Sequence, residues 1–153
     1  MGFLFKGYSF NIYKKKEYLV QDKIETIPKT MEKFFGCSGK MVKPSQDTVK
    51  ALIGNIRKGK LITIEQLRNK LASDFSVQSA CPASTMKILQ LLSKEQKPIC
   101  YWRVIKKKGE LIAKFPNGLD RHASLLKNEG FEIDSTKKNP VVVDYEAKLS
   151  NIE

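Results

Sequence analysis

Cys100 lies in the stretch "KPICYWRVIKKKGELIAKFPNG" (97–118), beside Tyr101, Trp102, Arg103 and the lysines Lys106, Lys107 and Lys108. A thiol, two aromatics and clustered cations could do two kinds of chemistry. The thiolate could attack an electrophile, or the aromatics could stack on a base whose phosphates the cations hold. Attack needs help, because an unperturbed thiol has a pKa near ~8.5 and reacts only as the thiolate. The one histidine is His122, on a predicted fourth helix, and nothing in the sequence brings it to face Cys100. Its simplest place is on the surface or between helices. Lys97, Arg103 and the lysine run could lower the thiol pKa, which would make a reactive thiol rather than a base-specific transfer site. Cys81 precedes Pro82 with no partner in view. Cys100 is read as a bystander. If "ICYWRVI" is extended, Cys100 and Tyr101 point to opposite faces, and so do Tyr101 and Trp102. One aromatic should then pack inside while the other lines a pocket or a nucleic-acid surface, where stacking on a base contributes roughly 1–3 kcal/mol. Arg103 is expected in a structural ion pair.

Composition narrows the partner. The chain has 153 residues, 41% of them hydrophobic, which suits one domain with a proper core. Lys and Arg number 28 against 16 acidic residues, a formal charge of +12. That excess favours a polyanion, since each neutralised phosphate releases counterions. Three widely spaced cysteines form no CxxC pair, and a single histidine leaves no zinc quartet. No cofactor is implied, and a reducing compartment fits. No apolar run approaches the ~18 residues that span a bilayer. "MGFLFKGYSF" has neither a signal-peptide cleavage site nor a myristoylation pattern, so a cytoplasmic protein is expected.

Several elements must position these residues. Residues 1–44 mix a lysine run, prolines and glycines, and read as a poorly packed N-terminal arm with one short helical turn. After Pro44, Val49, Leu52, Ile53 and Ile56 recur at helical spacing, with Ser45 or Asp47 as cap. A second helix opens at Thr63, whose T-x-x-Q pattern with Gln66 matches a capping box, and buries Ile64, Leu67, Leu71 and Phe75. A third begins near Pro82; Met86, Leu89 and Leu92 face inward, and Ser84, Thr85 and Lys87 outward. "ICYWRVI" and "ELIAKF", joined by "KKKG", predict a hairpin with three lysines at its tip. A helix-turn-helix followed by a basic hairpin is the outline of a winged helix. A fourth helix runs from about Leu119 to Glu129 and ends at Gly130, and "FEI" and "PVVVDY" are late strands.

"GKLITIEQL", a second helix, "YWRVIKKKGEL", "FPNGL" and "LLKNEGFEI" follow in an order that resembles the DNA-binding domain of alkylguanine-DNA alkyltransferases. Within that superfamily the chain looks most like the alkyltransferase-like proteins, which have lost the acceptor cysteine. The match covers roughly residues 45 to 133. A closer likeness, from about Pro28 to "VVVDYEAKL", is to bacterial homologues of this group with a "PYWRV" segment. The resemblance lays the family motif P-C-H-R-V on "CYWRV". Cys100 then stands at the proline and Tyr101 at the nucleophilic cysteine, while Trp102 replaces the catalytic histidine and Arg103 and Val104 are retained. Glu129 falls on the glutamate that orients that histidine, so it has no relay to complete; helix termination or a hydrogen bond in the pocket floor is left to it. Phe115 matches a pocket tyrosine, and Asn117-Gly118-Leu119 the turn into the last helix. Two departures concern base flipping. Ile64 stands where the family has a tyrosine that helps rotate the nucleotide. No arginine occurs between Arg68 and Arg103, so Ser84, Thr85 or Met86 takes the place of the one that fills the base stack.

The sequence thus predicts a mixed α/β fold. A winged helix-turn-helix DNA-binding domain spans 45–148, with an N-terminal arm over 1–44 and a C-terminal strand. The expected function is non-catalytic binding of duplex DNA by a monomer, with alkylated guanine as the lesion the resemblance implies. The expected base pocket holds Tyr101, Trp102, Phe115 and Glu129. DNA contacts are expected from Lys60, Thr63, Ser84, Thr85, Lys87, Lys106, Lys107 and Lys108, with Lys58 a similar candidate. Because the family inserts its recognition helix in the minor groove, shape and backbone contacts should dominate. Two other classes stay open: alkyl transfer to Cys100, and a basic module binding RNA or protein.

Overall fold

The structure, a computed structural model, describes residues 21–152. The readings of "MGFLFKGYSF" and of the first lysine run lie outside the described residues. In chain order the elements begin with β1 (Lys23–Thr26), a 3-10 turn (Lys29–Met31), α1 (Glu32–Phe35) and β2 (Lys40–Lys43). They continue with α2 (Gln46–Gly54), β3 (Ile62–Thr63), α3 (Ile64–Asp74), β4 (Ser79–Ala80) and α4 (Pro82–Ser93). After a 3-10 turn (Tyr101–Arg103) come β5 (Val104–Ile105), a turn at 107–109, α5 (Gly118–Asn128), β6 (Ile133–Asp134), β7 (Val141–Val142) and a last 3-10 turn (Tyr145–Lys148).

The helix starts are written locally. Ser45 accepts the Thr48 N–H at 3.3 Å as N-cap of α2, and its own N–H donates to the Asp22 carboxylate at 2.7 Å. Thr63 and Gln66 complete the reciprocal capping box of α3, with bonds of 3.0 and 2.9 Å. Pro82 opens α4, where its missing N–H is no loss. Val49, Ile53, Ile56, Leu67, Leu71, Leu89 and Leu92 meet in one core with Tyr101, Val104, Ile112 and Phe115. A second cluster joins Leu61, Ile105, Leu111, Leu126, Phe131 and Val142, and Trp102 packs against both.

Three expectations are corrected. First, residues 23–43 of the expected arm are folded. β1 and β2 pair antiparallel, and β2 pairs in parallel with β4, Met41 opposite Ser79. Ile27, Met41 and Cys81 form a small core beneath, against Phe35 and Cys37. Second, the lysine-tipped hairpin is not a pair of strands. Its turn is closed by Lys106 N–H to Glu110 O and Gly109 N–H to Lys106 O, but then the chain diverges. β5 runs parallel to β3, Ile62 opposite Val104, while Glu110 bridges to Val141 beside β6 and β7. Gly109 (φ 82°) is required there, since a Cβ would strike the Tyr145 ring. Third, Ser84 and Thr85 point inward, and Thr85 is fully buried. Its hydroxyl donates to the Cys81 carbonyl at 2.8 Å, so burial leaves no orphaned polar group. Both late strands are present, and β6 pairs antiparallel with β7.

Candidate nucleic-acid interface

The segment 99–103 turns where the sequence predicts extension. Cys100 (φ −64°, ψ 56°) has the backbone of an inverse γ-turn, and Tyr101–Arg103 follow as a 3-10 turn. The reason is visible in the side chains. Trp102 Nε1–H donates to Glu129 Oε2 at 2.7 Å, and Arg103 Nε–H to Glu129 Oε1 at 2.8 Å. Two consecutive side chains that reach one carboxylate cannot alternate across a strand. Arg103 also donates through Nη2 to Glu129 at 3.0 Å and through Nη1 to the Ile56 carbonyl at 2.7 Å, just past α2. The network ties the 101–103 turn to the ends of α2 and α5. Burial acts to raise the Glu129 carboxyl, but hydrogen bonds from Arg103 and Trp102 and the charges of Arg103 and Lys58 outweigh it and hold it below its ordinary value.

The four residues expected to make a base pocket are brought together, as a packed cluster. Tyr101 is 4% exposed and Phe115 3%. The Tyr101 ring stands edge-on to Trp102 at 5.4 Å and to Phe115 at 4.9 Å. Tyr101 is therefore core, which corrects the expectation that its ring opens into a pocket; Trp102 is the half-buried ring. Burial pushes the Tyr101 phenol above its ordinary value against the lowering charge of Arg121. His122, expected on the surface or between helices, is 1% exposed beneath this cluster, its ring 5.0 Å from Phe115. Its Nδ1 accepts the Ile112 N–H at 3.0 Å, which leaves Nε2 as the protonated nitrogen donating to the Trp102 carbonyl at 2.9 Å. Both nitrogens are occupied.

The expected DNA contacts divide. Lys60, Lys87, Lys106, Lys107 and Lys108 are exposed. Lys107 lies 3.8 Å from Glu65 in a loose surface pair. Thr63, Ser84 and Thr85 are buried, and the Thr63 hydroxyl is engaged as N-cap, so none of the three presents its side chain outward. Beside the lysine turn lies a groove of about 640 Å³, lined by Lys106, Lys107, Glu65, Ile64, Arg68, Phe35 and Cys37 among others. Arg68 is held in place by donating to the Ala80 carbonyl at 3.0 Å and the Ser79 hydroxyl at 3.3 Å. Sequence reasoning missed Phe35 and Cys37 in this lining because the β2–β4 pairing that anchors their segment carries no local signal.

With this geometry in hand, solved structures give the comparison. The fold is similar to that of S. pombe Atl1. In its complex with damaged DNA containing O6-carboxymethylguanine, that protein superposes with a TM-score of 0.53 at 18% identity, over 69% of this chain and 94% of the other. A second S. pombe ATL–DNA complex gives a TM-score of 0.50 at 20% identity over the same shares. No protein-family model matches the sequence, and no curated protein matches it. At these identities the likeness to Atl1 is one of fold. Among the described residues, no helix is long and apolar enough to cross a membrane.

Proposed function

We propose that this chain binds duplex DNA and detects alkylated guanine in it without removing the alkyl group. The observation that supports this reading is the fold shared, over 94% of that protein's chain, with Atl1 in its complex with damaged DNA containing O6-carboxymethylguanine. The charge of +12 and the exposed lysines 106–108 suit a phosphate backbone, whose contacts fix orientation without reading sequence. Transfer to Cys100 would lack a histidine relay: the one histidine is buried neutral with both nitrogens engaged. The carboxylate that could have oriented such a base serves Trp102 and Arg103 instead. Trp102 is the half-buried member of the aromatic cluster and the chain's one tryptophan, so its emission reports on any base that reaches that site.

Titrating the full chain with duplex DNA tests the reading. Sub-micromolar affinity is expected at low salt, falling roughly a hundredfold between 50 and 200 mM salt, as about four phosphate contacts would give. A duplex with O6-alkylguanine should bind more tightly than its undamaged counterpart and change Trp102 emission. Replacing Lys106, Lys107 and Lys108 with glutamine should weaken both complexes equally and flatten the salt slope by up to about three. Absence of any duplex binding at low salt would remove the proposal. Intact mass after incubation with the alkylated duplex is expected to be unchanged. An added alkyl group on Cys100 would replace sensing with transfer.

A further inference from the structure

We propose that the 28–39 segment is a second DNA-contacting element whose Phe34 ring wedges against a base step; the inference rests on the DNA-binding reading above. Phe34 is 71% exposed, more than Ile24 or Met31, the other large apolar side chains that stand in solvent among the described residues. It is not loose. Its ring lies edge-on to Phe35 at 5.9 Å and 82°, and Phe35 packs on the cluster of Ile27, Met41 and Cys81. Gly36 (φ 71°) ends the turn, and the β1–β2 pairing fixes the segment from both sides. Met31 lies three residues earlier, which puts it on the same side of the helical turn. An apolar pair on a rigid support is thus held out in water, at a cost in hydrophobic free energy that a bound partner would remove.

Charge selects the partner. Lys29 and Lys33 are exposed on the segment on either side of the half-buried Glu32, and Lys40 is exposed just beyond the segment. Phe35 lines the same groove as Arg68, Lys106 and Lys107, whose cations outnumber the carboxylates of Glu65 and Glu110 there. Protein interfaces are depleted of charge around their apolar centre. A duplex offers the reverse, an apolar base stack between two rows of phosphates. Proteins that bend DNA insert Phe or Met between base steps while flanking cations take the backbone. Phe34 with its neighbouring lysines has that composition, and β2, which follows the segment, pairs with β4 just before α4 begins.

The test uses the full chain and a duplex in which 2-aminopurine replaces one adenine, since that base brightens when it is unstacked. Wild-type protein is expected to raise its emission. Phe34→Ala should abolish the rise and weaken binding roughly tenfold, as loss of one stacking contact does. The salt slope should stay unchanged, because no phosphate contact is lost. Phe34→Leu, which keeps an apolar wedge, should retain most of the effect. Thermal unfolding should match wild type for both variants, given how exposed the ring is. If wild type and Phe34→Ala bind equally tightly with equal emission, the wedge is wrong while DNA binding stands. If neither binds any duplex, the DNA reading itself has failed. A wild-type protein that self-associates through Phe34, while Phe34→Ala is monomeric and binds DNA as well, would assign the patch to a second copy of the chain and overturn the wedge.

Discussion

Glu129→Ala is expected to lower the unfolding free energy by about 3–5 kcal/mol, the range found when one partner of a buried ion pair is removed. The side chains of Arg103 and Glu129 are 12% and 8% exposed, so water screens this pair far less than the surface pairs. One carboxylate accepts from the indole of Trp102 and from two nitrogens of Arg103. Its removal strands a guanidinium and an indole N–H together. Glu129→Gln should cost less, because one amide oxygen can still accept from Trp102. The double variant Arg103→Met with Glu129→Ala should recover part of the loss, since no uncompensated charge then stays buried. Urea midpoints at constant m-value measure all three. A Glu129→Ala shift below about 0.5 kcal/mol, the level of an ordinary surface change, would show that the network holds nothing.

The consequence reaches the candidate interface. Glu129 fixes the 101–103 turn, and the turn delivers Val104–Ile105 to β3 and Lys106 and Lys107 to the groove. Loss of the carboxylate should therefore disturb DNA binding as well as stability. Charge removal at Lys106–Lys108 should do the first without the second. Comparing the two variants separates positioning from contact.

How far the sequence could be read depended on the range of the interaction. Ser45, Thr63 and Gln66 announced their helices because a cap is made within three residues. The stripe Val49–Ile53–Ile56 was legible because burial along a helix repeats every 3.6 residues. Arg103 was read correctly as an ion-pair residue. The sequence did not show that Glu129 would capture both Trp102 and Arg103, and so bend a segment that its β-branched and aromatic residues predict to be extended. Thr85 was placed outside on polarity alone; its bond to the Cys81 carbonyl, four residues back, let it go inside. The fold of 23–43 was invisible for a plainer reason. Its decisive contact joins Met41 to Ser79, and no local pattern reports a parallel pairing across that separation.

His122 supplies the second large effect, and it is one of pH. Burial lowers its pKa from 6.5 to about 4, with the bond to the Trp102 carbonyl opposing the shift only in part. The folded state therefore binds this proton more weakly than the unfolded chain does. Stability from this group is complete above about pH 6.5 and is lost as pH falls toward 4. A shift of this size corresponds to about 3 kcal/mol, at a slope approaching 1.4 kcal/mol per pH unit within that window. The geometry explains the sign. Protonation adds a hydrogen at Nδ1, which faces the Ile112 N–H, so a hydrogen bond becomes a clash of donors around a buried charge. His122→Gln should be less stable at neutral pH, because an amide cannot place its acceptor and donor where both ring nitrogens lie. Between pH 6.5 and 5, however, its stability should be nearly flat while wild type declines. Denaturant midpoints at half-unit steps compare the two profiles, and parallel slopes would mean that the imidazole is not the group being titrated. Below pH 5 the carboxylates join in. Glu129, held below its ordinary value, adds its own loss at the acid end, so the histidine signature must be sought above that range.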